Sequence, residues 1–129
     1  MPRVLVIDDQ KDVRAMVAIV LRVNHYDVVE AESGAAGLKA FGENAFDAAI
    51  VDIFLADTSG VDVMAAIRER YPTFPIVAVS GMTALDFVGE APGLANVVCL
   101  QKPFRPNDLL GALRTAQGQA AAGEAAPAV

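Results

Sequence analysis

The sequence predicts one open α/β domain whose parallel sheet is covered by helices on both faces. Five short apolar runs alternate along the chain with segments of helical periodicity. The runs are continuously apolar rather than alternating, as strands buried on both faces require. A length of 129 residues fits a single domain, and a hydrophobic fraction of 54% is enough for one well-buried core.

The elements follow in order. Val4-Leu5-Val6-Ile7 is an uninterrupted, mostly β-branched first strand. Lys11 to Val23 places Val13, Met16, Val17, Val20 and Leu21 at helical spacing. Tyr26 to Ala31 reads as a second strand. Ser33 caps a helix running through Phe41, although Gly34 and Gly37 weaken it. Ala48-Ala49-Ile50-Val51 is the third strand and ends at Asp52. Ser59 to Arg70 is helical with Val63, Met64 and Ile67 inward, and Pro72 lies just beyond its end. Pro75 opens the fourth strand, Ile76-Val77-Ala78-Val79, which closes at Ser80-Gly81. Thr83 to Val88 forms a short helix cut off by Gly89, Pro92 and Gly93. Val97-Val98-Cys99-Leu100 is the fifth strand, ending at Lys102-Pro103. Pro106 suits a first helical residue, and Leu109, Leu110 and Leu113 give the last helix its apolar stripe. From Gln117 to Val129 the chain is mostly Ala, Gly and Gln, and we expect a frayed tail outside a domain of residues 1–116. Crossovers between parallel strands are right-handed, and the ligand site belongs at the carboxyl ends of the strands.

Composition excludes several function classes. A net charge of −6 without a basic stripe argues against direct nucleic-acid binding. No apolar run approaches the roughly 20 residues that cross a bilayer. A single cysteine, Cys99, permits no internal disulfide and fits a reducing compartment; it reads as a small buried or half-buried hydrophobe. The amino terminus lacks a secretory cleavage pattern, which points to a cytoplasmic protein. His25 is the sole histidine and reads as a solvated loop residue.

The positions of the polar residues carry the function. Asp8 and Asp9 end the first strand, Asp52 the third, Ser80 the fourth and Lys102 the fifth. In a parallel sheet these ends share one edge, so the five side chains converge. Taken singly, each has an ordinary explanation as a cap, a turn or a solvated residue. Their coincidence in a five-unit frame removes that explanation. Three carboxylates in one cleft repel each other, and a hard divalent cation such as Mg²⁺, which takes oxygen ligands, resolves the conflict.

On these residues the chain resembles the receiver domain of two-component response regulators, the group that includes the chemotaxis-type single-domain regulators. The resemblance covers roughly residues 3 to 116. It rests on the acidic pair Asp8-Asp9, on Asp52 with Gly60 eight residues later, on Ser80, and on Lys102-Pro103-Phe104. The spacings are 43 residues from Asp9 to Asp52, 28 to Ser80 and 22 to Lys102. The resemblance implies a flavodoxin-like (βα)5 fold with strand order 2-1-3-4-5. It implies that Asp52 accepts a phosphoryl group from a sensor histidine kinase or a histidine phosphotransfer protein. It further implies that Asp9 and Asp52 ligate Mg²⁺, Asp8 acts through a water, and the Phe54 backbone carbonyl completes the protein ligands. Lys102 neutralises phosphoryl charge, Ser80 donates its hydroxyl to the phosphoryl group after transfer, and the Lys102–Pro103 bond is cis.

Some positions depart from the family pattern. Cys99 stands where an aromatic residue or histidine is usual, and Ala56 replaces a common proline. Phe54 and Met82 are bulky and apolar, which predicts slow self-dephosphorylation. Leu85, Phe87 and Val88, with the fifth strand and last helix, form a candidate docking surface for a downstream target. The expectation is a stand-alone regulator, monomeric or dimerising on phosphorylation, that is not an enzyme acting on external substrates. The competing readings are a small Mg²⁺-dependent phosphohydrolase using Asp52, a pseudo-receiver interaction module, and a fragment of a longer regulator or hybrid kinase.

Overall fold

The computed structural model describes residues 1–81 and 93–125. The order of elements is β1 (Arg3–Ile7), α1 (Lys11–Val23), β2 (Asp27–Ala31), α2 (Gly34–Glu43), β3 (Ala48–Asp52), α3 (Gly60–Arg70), β4 (Ile76–Ser80), β5 (Val98–Gln101) and α4 (Pro106–Ala125). The five strands form one sheet in the order β2-β1-β3-β4-β5, and every pairing is parallel. This is the flavodoxin-like order that the resemblance implies. The expected short helix over 83–88, Met82 and the patch of Leu85, Phe87 and Val88 lie outside the described residues.

The continuous apolar runs are explained by burial on both faces. Successive strand residues point to opposite sides of a sheet. Val4 and Val6 accordingly pack with Val17 and Leu21 of α1 and with Leu109 and Leu113 of α4. Leu5 and Ile7 pack with Phe41 of α2 and with Val63, Met64 and Ile67 of α3. All five residues of β3 and all five of β4 are buried. The two cores meet across the sheet at the strands that carry Asp52 and Ser80.

Helix starts follow local chemistry. Ser33 Oγ accepts from the Ala36 N–H at 3.0 Å, and Ser59 Oγ accepts from the Val61 N–H at 3.2 Å, satisfying donors that an uncapped helix leaves bare. The glycines of α2 have long-range reasons. A Cβ at Gly34 would collide with Thr58, and one at Gly37 with the Ile7 side chain, so both mark close packing of α2 on its neighbours. Arg68 is buried and donates to the carbonyls of Phe74 (2.7 Å), Gly93 (3.2 Å) and Ala95 (3.0 Å), tying α3 to the chain entering β4 and β5. Its burial lowers the guanidinium pKa from the ordinary value.

α4 runs on through the alanine-rich stretch as far as Ala125, as the high helix propensity of alanine allows. One expectation needs correction. Cys99 is exposed rather than buried. Val98 and Leu100 of the edge strand turn toward the α1–α4 core, so the two-residue period sends Cys99 to the other face. His25 is exposed, as expected, in the turn after α1, with a left-handed φ of 69°.

Two glycines give opposite forecasts. Nothing lies within 4 Å of a Cβ placed on Gly42 in α2, so Gly42→Ala should raise stability in urea denaturation by about 0.5–1 kcal/mol. At Gly60 a Cβ would strike the Asp52 carbonyl and the Ile53 Cα, backbone atoms that cannot step aside. Gly60→Ala should therefore cost more than about 3 kcal/mol in the same measurement.

Candidate functional site

The strand order reverses at β1, which lies between β2 and β3, and the cleft opens at the carboxyl ends of β1 and β3. Asp8 and Asp9 leave the end of β1, Asp52 ends β3, Ser80 ends β4, and Lys102 follows β5. One carboxylate oxygen from each of Asp8, Asp9 and Asp52 falls within a group whose members lie within 4.8 Å of one another. Lys102 Nζ reaches Asp8 Oδ2 and Asp52 Oδ2, each at 3.1 Å. A cleft of about 320 Å³ opens here, with Asp9, Gln10, Asp52, Phe54, Ser80 and Lys102 among its walls. The structure thus brings together every residue that the sequence assigned to the site.

Burial differs among them in a useful way. Asp8 and Asp52 are each 5% exposed and Ser80 1%, whereas Asp9 is exposed. Asp52 Oδ1 accepts from the Phe54 N–H at 3.0 Å, and Asp8 Oδ1 accepts from the Gln10 N–H at 2.8 Å. The Lys102 N–H donates to the Ser80 carbonyl at 2.8 Å, locking the ends of β4 and β5 in register. The Lys102–Pro103 peptide bond is cis, as the resemblance implies.

The electrostatics are unbalanced. Burial raises the Asp52 pKa, helped by the nearby Asp8 charge and opposed by the Phe54 N–H and Lys102. Burial also pushes Lys102 down, but its bonds to Asp52 and Asp8 outweigh this and its pKa is raised. A simple ion pair would lower the carboxylate while raising the ammonium. Here both rise, because burial of the Asp52 carboxylate outweighs the Phe54 N–H and Lys102, with the Asp8 charge adding to it. With three carboxylates and one ammonium the cleft carries two excess negative charges, and its donors are all oxygens. That set fits Mg²⁺, a hard divalent ion held through carboxylates and waters.

Sequence reasoning missed three residues. Gln10 Oε1 accepts from Lys102 Nζ at 2.9 Å. Arg14 Nη1 donates to the Asp8 carbonyl at 2.8 Å and steadies the acidic turn. Asp57 accepts from the N–H groups of Gly34 (2.9 Å) and Ala35 (3.0 Å), fastening the loop after Asp52 to the start of α2. Only Gln10 carried a local signal, since it directly follows the acidic pair at a helix start.

Fold and site together define a receiver domain. The chain belongs to the response regulator receiver domain family, whose model matches residues 4–114. Receiver domains are signalling phospho-acceptors that bind Mg²⁺ at an acidic pocket, and the Asp8–Asp9–Asp52 group forms such a pocket here. Among curated relatives, the transcriptional regulatory protein KdpE of Mycobacterium tuberculosis H37Rv is 34% identical over 116 residues, covering 90% of this chain and 51% of KdpE. A putative NtrX-like response regulator of Rickettsia bellii is 28% identical over 115 residues, covering 88% of this chain and 24% of that protein. The chain therefore spans about half the length, or less, of these relatives. Among solved structures, chemotaxis protein CheY4 of Vibrio cholerae superposes with a TM-score of 0.82 at 30% identity, over 90% of this chain and 98% of that one. No helix among the described residues is long and apolar enough to cross a membrane.

The Asp57 tether has a pH signature. The N–H groups of Gly34 and Ala35, in that order, hold its carboxyl below the ordinary value. A depressed folded-state pKa stabilises the fold above the unfolded-state pKa of about 3.9 and loses that contribution as pH falls through the folded-state value. Asp57→Ala should lower the thermal midpoint at neutral pH, and the gap from the parent should close as pH falls below about 3.9 and through the folded-state value.

Proposed function

We propose that this receiver domain accepts a phosphoryl group on Asp52, in the presence of Mg²⁺, from the phosphohistidine of a sensor kinase or a histidine phosphotransfer protein. An Asp52 carboxylate oxygen attacks phosphorus, the phosphorus–nitrogen bond of the donor breaks, and the imidazole leaves with the bonding pair. The product is an acyl phosphate. Asp9, Asp52 and the Phe54 carbonyl would hold the ion, with Asp8 acting through a water, and the bound ion supplies positive charge beside the transferring group. Lys102 supplies the protein's own positive charge to the phosphoryl oxygens, which carry the charge of a loose transition state. Ser80 then donates its hydroxyl to a phosphoryl oxygen and couples the modification to the chain that follows β4. The output is a shift between two conformations with different affinity for a downstream target protein. External phosphomonoesters are not substrates under this reading.

The observation that carries the proposal is the buried Asp52 carboxylate held 3.1 Å from Lys102 Nζ, with the carboxylates of Asp8 and Asp9 alongside. Incubation with acetyl phosphate and Mg²⁺ should add one phosphoryl group by intact mass. Asp52→Asn, or excess chelator with the parent, should abolish the addition. A parent that stays unmodified would instead mark an interaction module without phosphotransfer.

Phosphoryl lifetime gives a second measurement. The Phe54 side chain stands 51% exposed on the wall of the cleft, where an attacking water must pass. Phe54→Gln should shorten the lifetime of the phosphorylated protein several-fold, corresponding to roughly 1 kcal/mol of barrier. An unchanged decay in an intact-mass time course would refute the shielding role.

A further inference from the structure

Gln10 occupies the N-cap position of α1 but makes no side-chain capping bond. The acidic turn is held without it, because the Gln10 N–H goes to Asp8 Oδ1 at 2.8 Å. The carboxamide instead turns into the cleft. There Oε1 takes a hydrogen bond from Lys102 Nζ at 2.9 Å, shorter than the 3.1 Å contacts of that ammonium to Asp8 and Asp52. An ammonium has three N–H donors, and this one has three acceptors, of which only Gln10 is neutral.

That neutrality matters in this cleft. When Asp52 is esterified it loses its carboxylate charge, and Lys102 must redirect one N–H to a phosphoryl oxygen while its other two bonds hold it in place. A carboxylate in place of Gln10 would anchor the lysine equally well. It would also add a fourth negative charge where an anionic donor must enter. An alanine would leave Lys102 held by the two aspartates alone, free to swing between them.

We propose that Gln10 is a positioning residue for phosphoryl transfer: its carboxamide fixes the Lys102 ammonium over Asp52 without adding negative charge. This rests on the reading of Asp52 as the acceptor. The test pairs a contact measurement with a kinetic one on the full chain. In the protein without Mg²⁺ or donor, the side-chain ammonium of Lys102 should show slowed hydrogen exchange by ¹H–¹⁵N NMR. Gln10→Ala should lose that protection, and Gln10→Glu should retain it. With acetyl phosphate and saturating Mg²⁺, Gln10→Ala should lower the maximal rate of phosphorylation roughly tenfold with little change in KM, as expected for a misplaced charged group. Gln10→Glu should restore most of that rate and instead raise KM several-fold by charge repulsion. Thermal midpoints of both variants should match the parent, because the capping of α1 does not involve this side chain.

An unchanged Lys102 signal in Gln10→Ala overturns the proposal, as does an altered signal with unchanged kinetics. Should the parent gain no phosphoryl group while Gln10→Ala still alters the Lys102 signal, the acceptor reading fails. The transfer role then falls with it, and only the contact stands.

Discussion

The Lys102 ammonium is the counter-charge on which the site depends. It meets Asp52 across 50 residues of sequence and Asp8 at the same 3.1 Å separation. Both carboxylates are almost wholly buried. Burial works against the ionised form of Asp52, and Lys102 opposes that effect. Burial raises the Asp52 pKa, and the nearby Asp8 charge adds to it against the Phe54 N–H and Lys102. Buried ion pairs rarely add much net stability, because desolvation offsets the Coulomb gain. The arrangement therefore fits the proposed role toward an incoming phosphoryl group better than a contribution to folding.

The fold makes this convergence inexpensive. Four strand ends meet at one edge because every pairing is parallel and the register is continuous from Ala31 opposite Ile7 to Gln101 opposite Ser80. Burial on both faces of β3 and β4 holds the backbone on which Asp52 and Ser80 sit, so the site inherits the stiffness of the core. The loop after Asp52 is fastened three times. The Gly60 N–H donates to the Ile53 carbonyl at 2.7 Å, Phe54 bridges to Ser59, and Asp57 grips the start of α2. These ties fix where the Phe54 carbonyl stands, and Gly60 lets the backbone of α3 approach that loop closely.

The parts of this structure that were legible in the sequence are those that local pattern dictates. Strands buried on both faces announce themselves as unbroken apolar runs, and Ser33 and Ser59 mark helix starts through bonds to residues two or three positions away. The site residues were legible because strand ends in a parallel sheet must share an edge. What escaped was decided by distant partners. Gly34 and Gly37 look like weaknesses in a helix until Thr58 and Ile7 are seen pressed against them. Asp57 finds its partners 22 and 23 residues away, Arg68 reaches across 25 and 27, and Gln10 meets a lysine 92 residues on. Cys99 was misplaced because composition favours burial of a thiol, while strand period and an edge position decide which face it takes.

The charge accounting also constrains how a signal could leave the site. In the proposed reaction, esterification removes the carboxylate charge of Asp52 from the buried end of β3 and moves negative charge outward onto the phosphoryl oxygens. In that reaction Asp8 and Gln10 would remain as anchors, so Lys102 would pivot between them rather than depart. Under that proposal Ser80, buried at the end of β4, would meet a phosphoryl oxygen by adjusting its own backbone or rotamer, because Asp52 sits in a strand with no free face. The Ser80 carbonyl already holds the Lys102 N–H at 2.8 Å. Any backbone movement at Ser80 is therefore felt at Lys102, at the end of the edge strand β5, which has a neighbour on one side only. An edge strand of the sheet is thus bonded directly to the residue that, in the proposed reaction, meets the phosphoryl group. The interior strands, packed on both faces, have no comparable freedom to move.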